Sequence, residues 1–228
     1  MTAQLEAPVT RAARAEDLAD QRVVLFNVTW PDYEAIGEAL RDRSNVRLTF
    51  DEGTLEIMTT SCTHEWFKSV SGRLVETLAE EFGFPLRPGG SMTFKRRALQ
   101  RGLEPDECFW IASEPQLRGR LTWSLEDGPP PDLVVEVEVT RSALPRMKIF
   151  AALGVPEIWR FDGTSLGVYR LGDDGAYHPV GGSPTFPGIA IAQLPQFLQP
   201  NEAMDYLQTM REFRLWVRAQ LDEATDGE

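Results

Sequence analysis

The fold is decided by residues 129–140, which read Pro-Pro-Pro-Asp-Leu-Val-Val-Glu-Val-Glu-Val-Thr. Residues 133–139 are nearly all β-branched apart from two acids, and this composition predicts a buried strand. Side chains of a strand alternate between its two faces, so Glu136 and Glu138 share one face and the valines between them share the other. Burying an unpaired carboxylate is costly, and two neighbouring carboxylates also repel each other. The strand therefore requires a cation, or a strong hydrogen-bond network, in front of its acidic face.

The flanking sequence predicts helices and strands on both sides of this strand, and therefore one mixed α/β domain. Downstream, the predicted elements are a helix from Ser142 or Ala143 to Leu153, paired strands at 157–161 and 166–169, a Gly/Pro-rich loop at 172–188 and an amphipathic helix at 202–221. Upstream, they begin with an apolar run at 23–28, a helix from Trp30 to about Arg41 and a hairpin of 45–50 with 54–58. A helix from about His64 to Phe82 follows and is capped by Ser61 or Thr63. Strands near 91–95 and 106–112 and a loop at 113–131 complete this part of the chain.

The composition along the chain predicts the domain boundaries, and the overall composition and charge narrow the classes of protein to which the chain can belong. The predicted organisation is a mobile N-terminal arm at 1–21, a single domain at 22–200, and a C-terminal helix with a frayed tail at 201–228. Of the 228 residues, 42% are hydrophobic and 25% are charged, which is typical of a globular chain. The net charge of −12 argues against a protein that coats nucleic acid, but it does not exclude an enzyme that meets nucleic acid at one metal-loaded cleft.

The cysteine count favours reduced thiols, and the hydropathy pattern favours a protein outside the membrane. The only cysteines are Cys62 and Cys108, and with two separated histidines they do not form a usual zinc site. No apolar run approaches the roughly 20 residues needed to cross a bilayer, and the N-terminus lacks an apolar signal core. We therefore predict a cytoplasmic protein with free thiols.

A second acidic position lies upstream of the central strand. Asp106 follows the rigid Pro105 at the start of the predicted 106–112 strand and precedes Glu136 by 30 residues. If these strands pair in antiparallel fashion, Asp106, Glu136 and Glu138 line one pocket. Oxygen-only ligands of this kind suit Mg²⁺ or Mn²⁺ better than zinc or copper, and a phosphodiester is the natural substrate of such a site.

Three phrases of the sequence, in order, carry a resemblance to a known family. Residues 101–109 (Arg-Gly-Leu-Glu-Pro-Asp-Glu-Cys-Phe), 131–137 (Pro-Asp-Leu-Val-Val-Glu-Val) and 154–159 (Gly-Val-Pro-Glu-Ile-Trp) resemble the Uma-two family of PD-(D/E)XK nucleases. The resemblance implies a restriction-endonuclease-like α/β fold, with a mixed sheet of about five strands flanked by helices and extended by the N-terminal helix and hairpin. It also implies a Mg²⁺-dependent or Mn²⁺-dependent endodeoxyribonuclease with DNA as its substrate. A homodimer is plausible because such domains often cut duplexes in pairs and the C-terminal helix offers an apolar stripe; no protein partner is identifiable.

The resemblance also assigns roles to single residues. It implies that Asp106 and Glu136 ligate the metal and that Glu65, in the first turn of the long helix, completes the cluster. The third position of the signature is usually lysine but is Glu138 here. Either Glu138 serves as a further ligand or base, or a cation comes from the following helix. The candidates are Arg146 and Lys148, which are about 200° apart around a helix and so do not both face the site.

Simpler explanations exist for each of these residues. Asp106 could be a turn residue, and the two strand glutamates could form the solvated face of an edge strand. Glu65 could be an ordinary first-turn acid, His64 a cap or surface residue, and the two cations solvated helix charges. The coincidence of the three acids within the three phrases favours the site. The missing lysine and the acidic charge favour the rival function, a catalytically inactive binding or assembly module with the same fold, and whether the substrate is DNA or RNA stays open.

Overall fold

The computed structural model describes residues 19–125 and 127–226 and contains two β-sheets flanked by helices. Its strands are β1 (Gln21–Leu25), β2 (Val46–Asp51), β3 (Thr54–Thr59), β4 (Arg87–Pro88), β5 (Phe94–Arg96), β6 (Arg101–Leu103), β7 (Glu107–Trp110), β8 (Leu133–Val137), β9 (Glu157–Phe161), β10 (Leu166–Leu171) and β11 (Tyr177–Val180). Its α-helices are α1 (Trp30–Leu40), α2 (Cys62–Phe82), α3 (Glu114–Leu117), α4 (Arg146–Leu153), α5 (Pro195–Leu198) and α6 (Tyr206–Asp226), with 3-10 turns at Arg97–Leu99 and Ile191–Gln193. This architecture confirms the predicted mixed α/β class.

The first sheet has six strands, in the order β11-β10-β9-β8-β7-β4, where about five were predicted. Strand β8 is central: it pairs in parallel with β9 and in antiparallel fashion with β7, as the Asp106–Glu136 spacing predicts. Its alternation is also as predicted. Val135 and its odd-numbered neighbours join the core formed with α2 and α6, whereas Val134 joins the core formed with α4 on the other face.

The second sheet is antiparallel, with the strand order β1-β3-β2-β6-β5. The predicted N-terminal hairpin, β2 with β3, lies at its centre, so the hairpin is part of a complete sheet and not a small extension. Glu52 and Gly53 both adopt positive φ in the hairpin turn, which matches the right-handed twist of the two strands. Helix α1 covers this sheet by packing Trp30 and Tyr33 on Phe50.

Capping residues determine where helix α2 begins and ends. The side chain of Ser61 accepts a hydrogen bond from the backbone N–H of His64, so Ser61, and not Thr63, is the N-cap. At the other end Gly83 adopts the left-handed conformation that favours glycine. The helix lays its apolar side on β8 and β7 and thereby forms one wall of the larger core.

Several elements differ from the sequence-based prediction, and β4, β6 and α5 were not predicted. Helix α4 begins at Arg146 and not at Ser142 or Ala143, because the side chain of Ser142 and the backbone N–H of Ala143 donate to Glu56 instead of opening a helix. Strand β11 forms inside the predicted loop at 172–188, and the short helix α3 forms inside the predicted loop at 113–131.

Both ends of the described chain contribute more structure than predicted. Most of the predicted arm at 1–21 lies outside the described residues, but Asp20 is buried and Gln21 opens β1. Helix α6 continues to Asp226, through most of the predicted frayed tail, and residues 227–228 are not described. Phe213 and Val217 of α6 are fully buried in the core. The apolar stripe that favoured a homodimer is therefore covered largely by this chain itself and no longer argues for a second copy.

No helix within the described residues combines the length and the apolar character that a membrane crossing requires.

Replacing Phe213 with alanine tests whether α6 is part of the domain. Phe213 is 0% exposed, meets Phe197 edge to face and stacks on Trp216, so we expect Phe213→Ala to lower the free energy of unfolding by about 3–5 kcal/mol. Urea denaturation followed by tryptophan fluorescence measures this change. The matched control is Leu207→Ala on the same helix, where the side chain is 61% exposed and little loss is expected. Equal effects of the two substitutions would contradict the packing of α6 on the core.

Candidate active site

A cavity of about 340 Å³ opens at the carboxyl end of β8, and we call it the β8 cavity. The charged side chains that line it are the carboxylates of Asp106, Glu136 and Glu138 and the guanidinium groups of Arg22, Arg141, Arg146 and Arg160. The three acids thus share one cavity, as the sequence predicts. Neither Glu65 nor Lys148 lines it.

Asp106 is held rigidly between β7 and β8. It immediately precedes β7 and is only 3% exposed. Its Oδ2 accepts a hydrogen bond of 2.8 Å from the backbone N–H of Val137, and its Oδ1 lies 2.8 Å from Nε2 of His64. Burial alone would raise the pKa of Asp106, but the hydrogen bond and charge of His64, together with the charge of Arg146 and the backbone N–H of Val137, lower that pKa. Asp106 is therefore ionised over the whole neutral range.

His64 is completely buried between two carboxylates, which corrects its prediction as a cap or surface residue. Nδ1 lies 3.1 Å from Oδ2 of Asp20, while Nε2 faces Asp106. Since both ring nitrogens face acceptors, both donate and the ring is an imidazolium. Burial lowers the pKa of His64, but the hydrogen bonds to Asp106 and Asp20 more than compensate and raise it to about 10. No sequence pattern pointed to this charge, because Asp20 lies 44 residues from His64.

Glu136 is paired with Arg146, which supplies the cation that the acidic strand requires. Nε of Arg146 lies 2.6 Å from Oε2 of Glu136, and its second terminal nitrogen lies 2.9 Å from Oε1. The same guanidinium donates to Oγ1 of Thr49 at 2.6 Å and to the carbonyl oxygen of Glu104 at 2.8 Å. Arg146 thus joins the end of β8 to the second sheet. Lys148, the other predicted cation, is exposed on the outer side of α4.

The pKa values of this pair reflect its burial. Burial raises the pKa of Glu136, and the positive charge of Arg146 offsets only part of that rise. Burial also disfavours the charged form of Arg146, but Glu136 and Asp106 more than compensate and raise the pKa of the guanidinium. Each member of the pair therefore depends on the other for its place in the interior.

Glu138 lies one residue beyond β8 and is only partly buried. Its Oε2 pairs with Arg160 of β9, a partner that the sequence did not indicate. Its Oε1 accepts no hydrogen bond from any side chain or backbone group in the described ranges. Glu138 thus lines the β8 cavity with one carboxylate oxygen paired and the other without a hydrogen bond from the described residues.

Glu65 lies apart from these acids, although the resemblance implies that it completes the cluster. Its Oε1 accepts a hydrogen bond of 2.8 Å from the hydroxyl of Thr60 and lies 3.5 Å from the guanidinium of Arg47. Helix α2 thus directs His64, and not its neighbour Glu65, toward Asp106.

The donor set fits a hard divalent cation in its chemistry. Within residues 19–125 and 127–226, no three side chains of His, Cys, Asp or Glu converge closely enough to hold a metal ion by themselves. Mg²⁺ does not need three, because it commonly keeps several waters and takes one or two carboxylates together with substrate phosphate oxygens. Asp106 and Glu136 are adjacent, since the backbone N–H of Asp106 donates to Oε1 of Glu136 at 3.3 Å, and both carboxylates line the β8 cavity.

Comparison with known proteins assigns the chain to a family. The family model Uma2, described as "Putative restriction endonuclease", matches residues 30–201. Because the match covers most of the chain, the protein belongs to the Uma2 family, which confirms the resemblance of the three sequence phrases.

One solved structure that the chain is similar to is described as a putative nuclease belonging to DUF820 from Anabaena variabilis ATCC 29413. It is 16% identical, with 67% of this chain and 91% of that chain covered and a TM-score of 0.49. No curated protein matches the chain.

Removing the partner of Glu136 should destabilise the protein strongly. We expect Arg146→Met to lower the free energy of unfolding by about 3–5 kcal/mol, because it leaves a carboxylate that is 7% exposed without its cation. The double variant Glu136→Met with Arg146→Met should lose less than the single variant, since no buried charge remains unpaired. The control is Arg160→Met, whose pair with Glu138 is partly exposed and should contribute at most about 1 kcal/mol. Chemical denaturation measures all three variants, and equal losses for Arg146→Met and Arg160→Met would contradict the pairing.

The charged His64 should make stability fall at alkaline pH. Its pKa rises from an ordinary value of 6.5 in the unfolded chain to about 10 in the fold. A raised pKa stabilises the fold fully below pH 6.5, and this stabilisation is lost as the pH rises toward 10. We therefore expect the difference in free energy of unfolding between wild type and His64→Gln, measured in a chelator, to shrink across that interval.

The control for this experiment is the exposed His178, which pairs with Asp174 on the surface. His178→Gln should change stability little at any pH. A difference between wild type and His64→Gln that stays constant with pH would show that the ring is uncharged.

Proposed function

We propose that this chain is a Mg²⁺-dependent or Mn²⁺-dependent endonuclease that hydrolyses DNA phosphodiester bonds in the β8 cavity. The observation that carries the proposal is that one cavity collects three carboxylates and four guanidinium groups. Carboxylate oxygens suit a hard divalent cation, and guanidinium groups suit phosphate oxygens. Membership of a restriction-endonuclease-like family, in which metal dependence is usual, supports the same reaction class.

Asp106 and Glu136 are the residues that would hold the metal. When bound, a divalent cation lowers the pKa of an attacking water and offsets negative charge that develops on the phosphate. Asp106 is suited to this role because His64 keeps it ionised and, with the backbone N–H of Val137, fixes its orientation. Arg146 acts as a positioning residue, since its two hydrogen bonds hold the Glu136 carboxylate at the cavity wall.

Glu138 is the proposed general base. Glu138 lines the β8 cavity, and Arg160 holds its Oε2, while its Oε1 accepts no hydrogen bond within the described part of the chain. As a water oxygen attacks phosphorus, Oε1 accepts the water proton, the bond from phosphorus to the ester oxygen breaks, and the departing alkoxide takes a proton from solvent water. An acid at the third position of the signature then does the work that lysine does in other members of the superfamily. Arginine could not replace it, because a guanidinium stays protonated at neutral pH.

Cleavage of supercoiled plasmid DNA with Mg²⁺, with Mn²⁺ and with a chelator tests this proposal. We expect wild type to nick the plasmid only with a metal, and Glu138→Gln to cleave about 10²–10⁴-fold more slowly, because glutamine keeps an oxygen for Arg160 but does not accept the water proton. Glu202→Gln, at an exposed position outside the β8 cavity, is the matched control and should cleave like wild type. A Glu138→Gln variant with wild-type activity would exclude Glu138 as the base. An RNA substrate of equal length separates the two nucleic acids.

The second candidate is a catalytically inactive binding or assembly module. One observation favours it: His64, Arg146 and Arg160 already pair with the three carboxylates of the cavity. Calorimetric titration of Mg²⁺ and Mn²⁺ into wild type and Glu136→Ala distinguishes the two functions. An inactive module binds neither metal at millimolar concentration, whereas the nuclease binds metal and loses that binding in Glu136→Ala. Failure of wild type both to bind metal and to cut DNA would overturn the proposed reaction.

A further inference from the structure

Arg141 differs from the other three arginines of the β8 cavity. Arg22 pairs with Glu56, Arg146 pairs with Glu136, and Arg160 pairs with Glu138. Arg141 lines the cavity and is exposed, and its side chain has no hydrogen bond, ion pair or aromatic contact with any residue that the structure describes. It is therefore the cation of this cavity that is available to a ligand.

The backbone on both sides of Arg141 is nevertheless fixed by buried acids. On one side, Oγ1 of Thr140 donates to Asp20 at 3.1 Å, and the Thr140 carbonyl oxygen accepts from Arg22 at 2.9 Å. On the other side, the hydroxyl of Ser142 donates to Glu56 at 2.8 Å. The backbone N–H of the next residue, Ala143, also donates to the Glu56 carboxylate, at 2.7 Å.

This arrangement holds the base of a long cationic side chain still while it leaves the guanidinium unpaired. Glu56 is almost fully buried, as is Asp20, so the anchors are not loosened by solvent. A fixed attachment point lowers the conformational entropy lost when the guanidinium takes a ligand. A planar guanidinium is well suited to phosphate, which it can bind through two parallel hydrogen bonds.

We propose that Arg141 binds a backbone phosphate of the DNA strand next to the phosphate that is cleaved. This inference rests on the proposed function and adds a substrate-binding residue to it. The chain carries a net charge of −12, so DNA needs a local cation at the cavity mouth to approach the acidic centre. Arg141 supplies that charge at the cavity itself, where the other guanidinium groups already neutralise carboxylates.

The salt dependence of DNA binding tests the proposal without any cleavage. A short fluorescein-labelled duplex is titrated with wild type, Arg141→Gln and Arg141→Lys at several salt concentrations, in parallel series with a chelator and with Ca²⁺, and fluorescence anisotropy gives the association constant. Loss of one phosphate contact should reduce the slope of log K against log salt by about one in Arg141→Gln. Arg141→Lys should bind with intermediate affinity, since lysine keeps the charge but not the planar fork.

The matched control is Arg211→Gln, which removes the same charge from an exposed position on α6 outside the β8 cavity and should leave the slope unchanged. Thermal unfolding of Arg141→Gln should equal that of wild type, because the exposed side chain has no hydrogen bond or ion pair in the described fold. A slope in Arg141→Gln equal to that of Arg211→Gln, or no binding of the duplex by wild type in either series, overturns the role of Arg141. A reduced slope in a protein that never cleaves DNA would overturn the proposed nuclease reaction and leave the role of Arg141 intact.

Discussion

The bidentate contact between Arg146 and Glu136 is the interaction on which the rest of the structure depends. It neutralises a buried carboxylate near the carboxyl end of the central strand, where an isolated charge would be costly. The same guanidinium reaches Thr49 on β2 and the carbonyl oxygen of Glu104, so it also ties the two sheets together. One side chain therefore balances the charge of β8 and sets how the second sheet lies against it.

A second chain of buried charges fixes the other side of the cavity. Asp20, His64 and Asp106 alternate in sign, and each end of the imidazolium has its own carboxylate. Arg22 and Glu56 extend this pattern toward the loop that follows β8. Each charge of this network has an opposite partner, although Nε of Arg22 is buried without a hydrogen-bond partner in the described part of the chain. Paired networks of this kind rigidify a site. The walls of the cavity are thus formed before any ligand arrives.

Local sequence patterns predicted much of the fold because the relevant interactions are short in range. The alternation of β8, the Ser61 cap and the Gly83 end of α2 depend on neighbours within a few residues. The shared cavity of Asp106, Glu136 and Glu138 also follows from strand periodicity and one antiparallel pairing. These features need no knowledge of the tertiary fold.

The partners of the acids were not predictable in the same way. His64 meets Asp20 across 44 residues, and Arg22 meets Thr140 across 118, so no spacing in the sequence announces these contacts. Choosing Arg146 over Lys148 required the true start of α4, which depends on the distant Glu56. Sequence patterns thus located the negative charges, while tertiary packing determined which positive charges meet them.

The position of Asp20 has a consequence for how this protein can be divided. The family match begins at residue 30, and so it leaves out both Asp20 and Arg22, which hold His64 and the loop after β8. At the other end the match stops at residue 201, before the helix that closes the larger core. A fragment limited to the matched span would leave the buried imidazolium of His64 with Asp106 as its remaining carboxylate partner of the two, and would expose the hydrophobic core to water. The packed structure of this chain therefore extends past the matched span at both of its ends.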